Sequence, residues 1–216
     1  MDHKRYAIRD MRYAIGDMRN AKVLLAAGIA LGLTLAVAGT MLFAGPYTFH
    51  GSVIDPAVAA ADFTLTDQNG QPFRLSDQKG KVALIFFGYT NCPDVCPTTL
   101  TQFKKIRAQL GKSADRVEFV LITVDPQRDT PDRLRDYLAG FDPTFIGLTG
   151  SLPDLQAAYH EYGVYQAIPT PGPDYTVDHT TRIYAVDQRG NLRVTYTIDT
   201  AVEDVAQDVQ QLIKGN

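Results

Sequence analysis

The run Val82-Ala83-Leu84-Ile85-Phe86-Phe87-Gly88-Tyr89-Thr90-Asn91-Cys92-Pro93-Asp94-Val95-Cys96-Pro97 carries the chain from one kind of structure into another. Its first six residues are apolar at every position, as in a central strand buried on both faces. Beyond it, residues 97–110 place Leu100, Phe103, Ile106 and Leu110 at helical spacing, with Lys104, Lys105 and Arg107 on the opposite side. A strand hands over to an amphipathic helix, and both cysteines of the chain lie in the junction.

The surrounding sequence extends this pattern. Upstream, Phe63-Thr64-Leu65-Thr66, the turn residues Asp67-Gln68-Asn69-Gly70 and Phe73-Arg74-Leu75 predict a hairpin. Downstream come a second buried strand at 117–124, a helix at 131–139, a short strand at 145–148 and a helix at 152–162. A proline-rich loop at 168–174 follows, then strands at 182–186 and 192–198 around the turn 187–191, and a helix at 202–213. Strands alternating with helices and closed by a hairpin and helix argue for an α/β sandwich on a central sheet.

Residues 23–44, VLLAAGIALGLTLAVAGTMLFA, carry no charge and as a helix would extend about 33 Å, enough for a hydrocarbon core of about 30 Å. Lys4, Arg5, Arg9, Arg12, Arg19 and Lys22 precede this run, and no Lys or Arg follows within a dozen residues, which predicts a cytoplasmic N-terminus and an exported domain. The run is longer than the usual signal-peptide core of about 7–15 residues, and no Cys lies near its end to carry a lipid. The expected organisation is a cytoplasmic tail at 1–22, a transmembrane anchor at 23–44, a Gly-, Ala- and Pro-rich linker at 45–61 and a globular domain at 62–216. The tail holds a seven-residue echo, RYAIRDM followed by RYAIGDM, too short to stack as a repeat architecture. A short basic tail leading directly into the span, without a long Arg- and Ser-rich presequence, points to a bacterial inner membrane. With a net charge of -3 and no basic concentration, the chain lacks the electrostatic footprint of a nucleic-acid binder.

Cys92 and Cys96 stand four apart where a helix begins, so both sulfurs can reach one point. The helix N-terminus favours the thiolate. A disulfide closing so small a loop adds little stability, and a strand-to-helix junction is where open α/β sheets bind ligands. A reversible or metal-holding pair is therefore the better reading. Soft thiolates select Cu(I) or zinc and need a further ligand. All four methionines, at 1, 11, 18 and 41, precede the exported domain. Of its histidines, His50 lies in the linker and His160 ends a predicted helix, positions that suit solvated or core roles. His179 stands at the end of the proline-rich loop, in Val177-Asp178-His179-Thr180-Thr181, from which its side chain can reach the helix N-terminus, although a lone His is more often structural. Asp178 would point away from it on an extended chain. In Val124-Asp125-Pro126-Gln127-Arg128-Asp129-Thr130-Pro131, Asp129 or Thr130 is expected to cap a helix that Pro131 opens. Asp125 and Arg128 have no such local explanation.

Three motifs in order, residues 88–97, Val124-Asp125-Pro126 with Arg128-Asp129-Thr130-Pro131, and Asp178-His179-Thr180, resemble those of the SCO/SenC family, with a similarity that runs from about Ala61 to the C-terminus. The resemblance implies a thioredoxin-like fold with a central mixed sheet flanked by helices. It further implies one copper per monomer, as Cu(I) or Cu(II), with Cys92, Cys96 and His179 as ligands. The partner it implies is cytochrome c oxidase subunit II, whose binuclear copper centre would be assembled, with a periplasmic copper carrier and thiol reductases as further partners. Such a protein is a metallochaperone more than an enzyme. The alternative is a thiol:disulfide oxidoreductase in which Cys92 and Cys96 cycle, although thioredoxins use C-x-x-C and redox chemistry alone leaves His179 without a role. A peroxiredoxin-like peroxidase would need one activated Cys rather than a pair.

Overall fold

β4 (Val82–Gly88) lies at the centre of the sheet, and all seven of its residues are buried. In the computed structural model, which describes residues 25–26, 28–34, 47–170, 172 and 175–215, β4 pairs in parallel with β5 (Val117–Thr123) from Val82↔Val117 to Gly88↔Thr123. On its other edge it pairs antiparallel with β9 (Ile183–Val186). The remaining strands are β1 (Ser52–Ala59), β2 (Thr64–Asp67), β3 (Pro72–Arg74), β6 (Ile146–Thr149) and β10 (Asn191–Tyr196), giving the order β1-β10-β9-β4-β5-β6-β2-β3. A separate two-stranded ribbon joins β7 (Gln166–Ala167) to β8 (Asp178–His179).

Alternate side chains of β4 enter two different packing layers. On one side Phe103 of α1 (Val95–Leu110) meets Phe119 of β5 and Phe145 at ring separations of 5.4 and 6.1 Å. On the other, Phe87 is surrounded by Tyr159, Tyr162 and Tyr184 at 5.6–6.1 Å. Leu84, Ile85, Phe86 and Phe87 are all fully buried, which stabilises the fold by about 1.5–3 kcal/mol for each side chain. α2 (Pro131–Ala139) packs so closely on β6 that a Cβ at Gly147 would stand 2.7 Å from Leu138. α3 (Leu152–Glu161) contributes Tyr159, and α4 (Val202–Lys214) packs against α1.

The hairpin, the two buried strands and the helices occur where their patterns place them, with boundaries shifted by at most two residues. The expected linker at 45–61 is a correction: residues 52–59 form β1, an edge strand paired antiparallel with β10. Its Gly, Ala and Pro composition hides the strand, because Pro56 sits at the sheet edge where no ladder donor is required, and the register shifts between Val53 and Val58. A second correction concerns α1, which begins at Val95 rather than Pro97. Pro97 fits in the first turn because the opening N–H groups need no helical acceptor.

The chain divides into two units, Met1–Tyr47 and Thr48–Asn216. In the first, residues 25–26 and 28–34 are helical. The rest of the expected 23–44 span and all of the tail lie outside the described residues. Among the described residues no helix is long and apolar enough to cross a membrane.

Ahead of β1, the fully buried carboxylate of Asp208 on α4 accepts hydrogen bonds from the backbone N–H groups of His50 and Gly51 and engages His50 Nδ1 at 2.8 Å. The hydrogen bond to Asp208, with the charge of Asp204 adding to it, raises the His50 pKa above its ordinary value of 6.5. A raised folded-state pKa means that this contribution to stability is full below about pH 6.5 and fades as pH climbs through the raised value. Thermal unfolding followed by circular dichroism should therefore show the largest gap between wild type and His50→Ala on the acid side, narrowing at alkaline pH.

Candidate metal centre

The last residue of β4 sets the position of the first sulfur pocket. Gly88 has no room for a side chain: a Cβ would lie 2.9 Å from Cys96 Sγ, 2.7 Å from the Phe86 ring and 3.1 Å from Leu121. Its carbonyl accepts from Val124 N–H at 2.8 Å, which holds the ends of β4 and β5 together. The chain then turns through Tyr89, Thr90 and Asn91, and Cys92 N–H donates to the Tyr89 carbonyl at 3.3 Å. Cys96 follows as the second residue of α1 and is completely buried, whereas Cys92 is half-buried.

No side chain of the N-cap residue, Asp94, caps α1. Instead the sulfur of Cys92 accepts the N–H of Cys96 at 3.4 Å. The thiol of Cys96 beside it, then the His179 ring and the helix-end N–H groups, bring the Cys92 pKa down to about 3, against the opposing effect of burial. The same coupling to Cys92, reinforced by burial, pushes the Cys96 thiol up. The pair thus holds one thiolate, on the more accessible sulfur, and one retained proton on the buried one.

His179 reaches this pair from the β7–β8 ribbon, where it stands opposite Gln166. Its Nε2 lies 3.7 Å from Cys96 Sγ. Its Nδ1 lies 3.0 Å from the Thr180 carbonyl; a carbonyl can only accept, so Nδ1 donates to it and Nε2 is the nitrogen turned toward the sulfurs. Phe86 and Tyr89 stand edge-on to the imidazole at 6.0 and 5.8 Å. Asp178, adjacent in β8, is exposed and faces away, as alternation requires. Cys92, Cys96 and His179 each offer one donor atom, all within 4.8 Å of one another, and among the described residues this is the cluster with the makings of a metal centre. Two soft sulfurs and one imidazole suit a soft ion at low coordination number. His160 is exposed, and His50 belongs to the Asp208 contact.

The second motif supports the cysteine turn. Thr130 caps α2 by accepting the Arg133 N–H at 3.2 Å, with Pro131 opening the helix. Of the two residues expected as alternatives for the cap, Thr130 serves, and Asp129 is instead a wholly buried anchor. Its carboxylate accepts from Thr90 N–H at 3.1 Å and from the hydroxyls of Thr90 and Thr123 at 2.6 Å each. Burial raises its pKa while these donors oppose the shift. Asp129 therefore ties the residue two places before Cys92 to the end of β5. Neither this role nor that of Tyr89 has a sequence signature of its own, since both depend on neighbours distant in the chain.

A family model described as SCO1/SenC matches residues 52–214. A SCO2-like protein of Rickettsia felis is 36% identical over 165 residues, covering 75% of this chain and 78% of its own. The structure of Bradyrhizobium japonicum ScoI with copper bound is 41% identical with a TM-score of 0.67, covering 72% of this chain and 99% of its own. The apo Sco1 protein from Thermus thermophilus is 38% identical with a TM-score of 0.70, covering 77% and 98%.

Two outcomes are expected from this geometry. Iodoacetamide should label Cys92 at a rate nearly constant between about pH 5 and 8 and leave Cys96 unmodified, whereas an ordinary thiol of pKa about 8.5 slows roughly ten-fold for each unit of acidification. Mass spectrometry of labelled peptides reads both. Gly88→Ala should cost about 1–3 kcal/mol by denaturant titration, the usual penalty for forcing a methyl into a filled core.

Proposed function

The chain belongs to the SCO1/SenC family, and from that premise we propose that it is a metallochaperone carrying one copper ion, as Cu(I) or Cu(II), between Cys92, Cys96 and His179. The convergence of these three donors within 4.8 Å is the observation that carries the reading. Binding starts at Cys92, already a thiolate and half-open to solvent, and is completed when the ion displaces the proton retained on Cys96. His179 Nε2 is the ring nitrogen available to the ion, because Nδ1 is engaged by the Thr180 carbonyl. Three donors leave the ion open to an incoming ligand, as transfer requires. The buried Cys96 sulfur would retain the ion while the accessible Cys92 sulfur exchanges with the recipient.

The recipient in this proposal is the binuclear copper centre of cytochrome c oxidase subunit II, and the ion arrives from a periplasmic carrier. The domain would work at the outer face of a bacterial inner membrane, held by residues 23–44 with the N-terminus in the cytoplasm. The uncharged run and the basic residues preceding it support this placement. A second reading, thiol:disulfide exchange, is favoured by the asymmetry of the cysteines: an accessible thiolate can attack and a buried thiol can resolve. The two cysteines would then become a disulfide as they reduce the cysteines of the recipient.

Anaerobic Cu(I) titration of the full-length chain against a competing chelator tests the main reading. One tight equivalent is expected, weakened by at least about 10–100-fold in Cys92→Ser, Cys96→Ser and His179→Ala, since losing a ligand should exceed the loss of an outer partner. Binding indifferent to His179, together with disulfide reduction that survives His179→Ala, would favour the second reading.

A further inference from the structure

Asp125 and Arg128 have no local duty in the sequence and contribute no donor to the sulfur and imidazole cluster. Asp125 is nonetheless almost fully buried, and Arg128 is largely so. Arg128 Nε donates to the Asp125 carboxylate. Its Nη1 donates to the Tyr175 carbonyl at 2.9 Å, and its guanidinium lies 3.6 Å from the centre of the Tyr175 ring. The Tyr175 hydroxyl in turn donates to Asp125 at 2.6 Å. The remaining Nη2 is buried without a hydrogen-bond partner, and the charge is met by the face of Tyr175 and, at 5.9 Å, by Tyr89. Two residues after Tyr175, Val177 N–H donates to the Tyr89 hydroxyl at 3.1 Å, and the ring of Tyr89 stands against His179.

These contacts join the turn after β5 to the chain immediately before His179. Without them the approach to His179 would depend on a ribbon of two residues per strand, extended only by Thr180, whose N–H donates to the Tyr165 carbonyl at 3.1 Å and whose hydroxyl accepts the Tyr165 N–H at 3.0 Å, and so short a pairing is marginal by itself. We propose that Asp125, Arg128 and Tyr175 are positioning residues that lock the His179 ribbon, so the imidazole is presented to the sulfurs in place rather than recruited from a loose loop. Their value for metal holding rests on the copper reading above; the lock itself does not. A pre-arranged ligand avoids the ordering cost of binding.

The test uses the full-length chain in two arms. In the copper-free arm, hydrogen exchange should show Arg128→Ala removing protection from the Val177 and Thr180 amides while those of α1 keep theirs. In the copper arm, Arg128→Ala should weaken Cu(I) about 10-fold, the usual size for an outer partner of a ligand. Combined with His179→Ala, it should add nothing further, and Cys92 alkylation should be unchanged. Tyr175→Phe, which keeps the ring and loses only the bond to Asp125, should move both readouts the same way by less, and it carries the test if Arg128→Ala does not fold. Unchanged exchange in both variants, or affinity losses that add to that of His179→Ala, would overturn the lock. Failure of the wild type to bind copper would instead remove the proposed function, and the exchange arm would still decide the lock.

Discussion

β4 is buried on both faces and hydrogen-bonded along both edges, and every part of the candidate centre is placed relative to it. Its parallel partner β5 ends level with it, so the loops leaving the two strands emerge side by side. Its antiparallel partner β9 brings the ribbon bearing His179 back to the same end. All six apolar residues from Val82 to Phe87 are buried, so sliding β4 along its partners would push residues at one end out of the core. The strand is thus the fixed reference for two segments whose donors stand 83 positions apart.

Around that reference the site divides labour by burial. Cys96 sits inside the first turn of α1 with its sulfur packed against Gly88, where it cannot wander. Cys92 lies before the helix, half-open, and its sulfur takes the acceptor position that a capping side chain would normally occupy. The same backbone N–H that completes the helix therefore stabilises the thiolate. Two cysteines of identical chemistry acquire opposite proton affinities because a hydrogen bond between their sulfurs makes one the acceptor and the other the donor, and the donor is the one buried in the core.

Buried charge near the centre is used for attachment. Asp129 fastens the cysteine turn to β5 through two threonine hydroxyls and one backbone N–H, and Asp125 with Arg128 fastens Tyr175. Each carboxylate is stripped of water but supplied with donors, the condition under which burying such a group is tolerable. The two aspartates come from one short turn after β5, so that turn governs both approaches to the centre.

Much of this was legible without coordinates. The two-sided apolar run of β4, the helical spacing after it, Pro131 opening a helix and the four-residue spacing of the cysteines are local patterns, and local periodicity is what a sequence displays openly. His179 was identifiable from its place in a third motif. What remained hidden depended on pairing across distance. β1 resembles a linker in sequence because an edge strand containing Pro56 has no periodicity of its own and exists only because β10 offers it a ladder. Asp129 looked like a cap because nothing in its neighbours announces Thr90. Asp125 and Arg128 stayed unexplained because their partner, Tyr175, lies across a loop whose composition is that of a spacer. Which donors the chain possesses, and which elements carry them, is written in local sequence. That these donors meet, which sulfur keeps its proton and what holds the imidazole emerge on folding, because those properties arise from hydrogen bonds and burial between segments that composition and spacing do not connect.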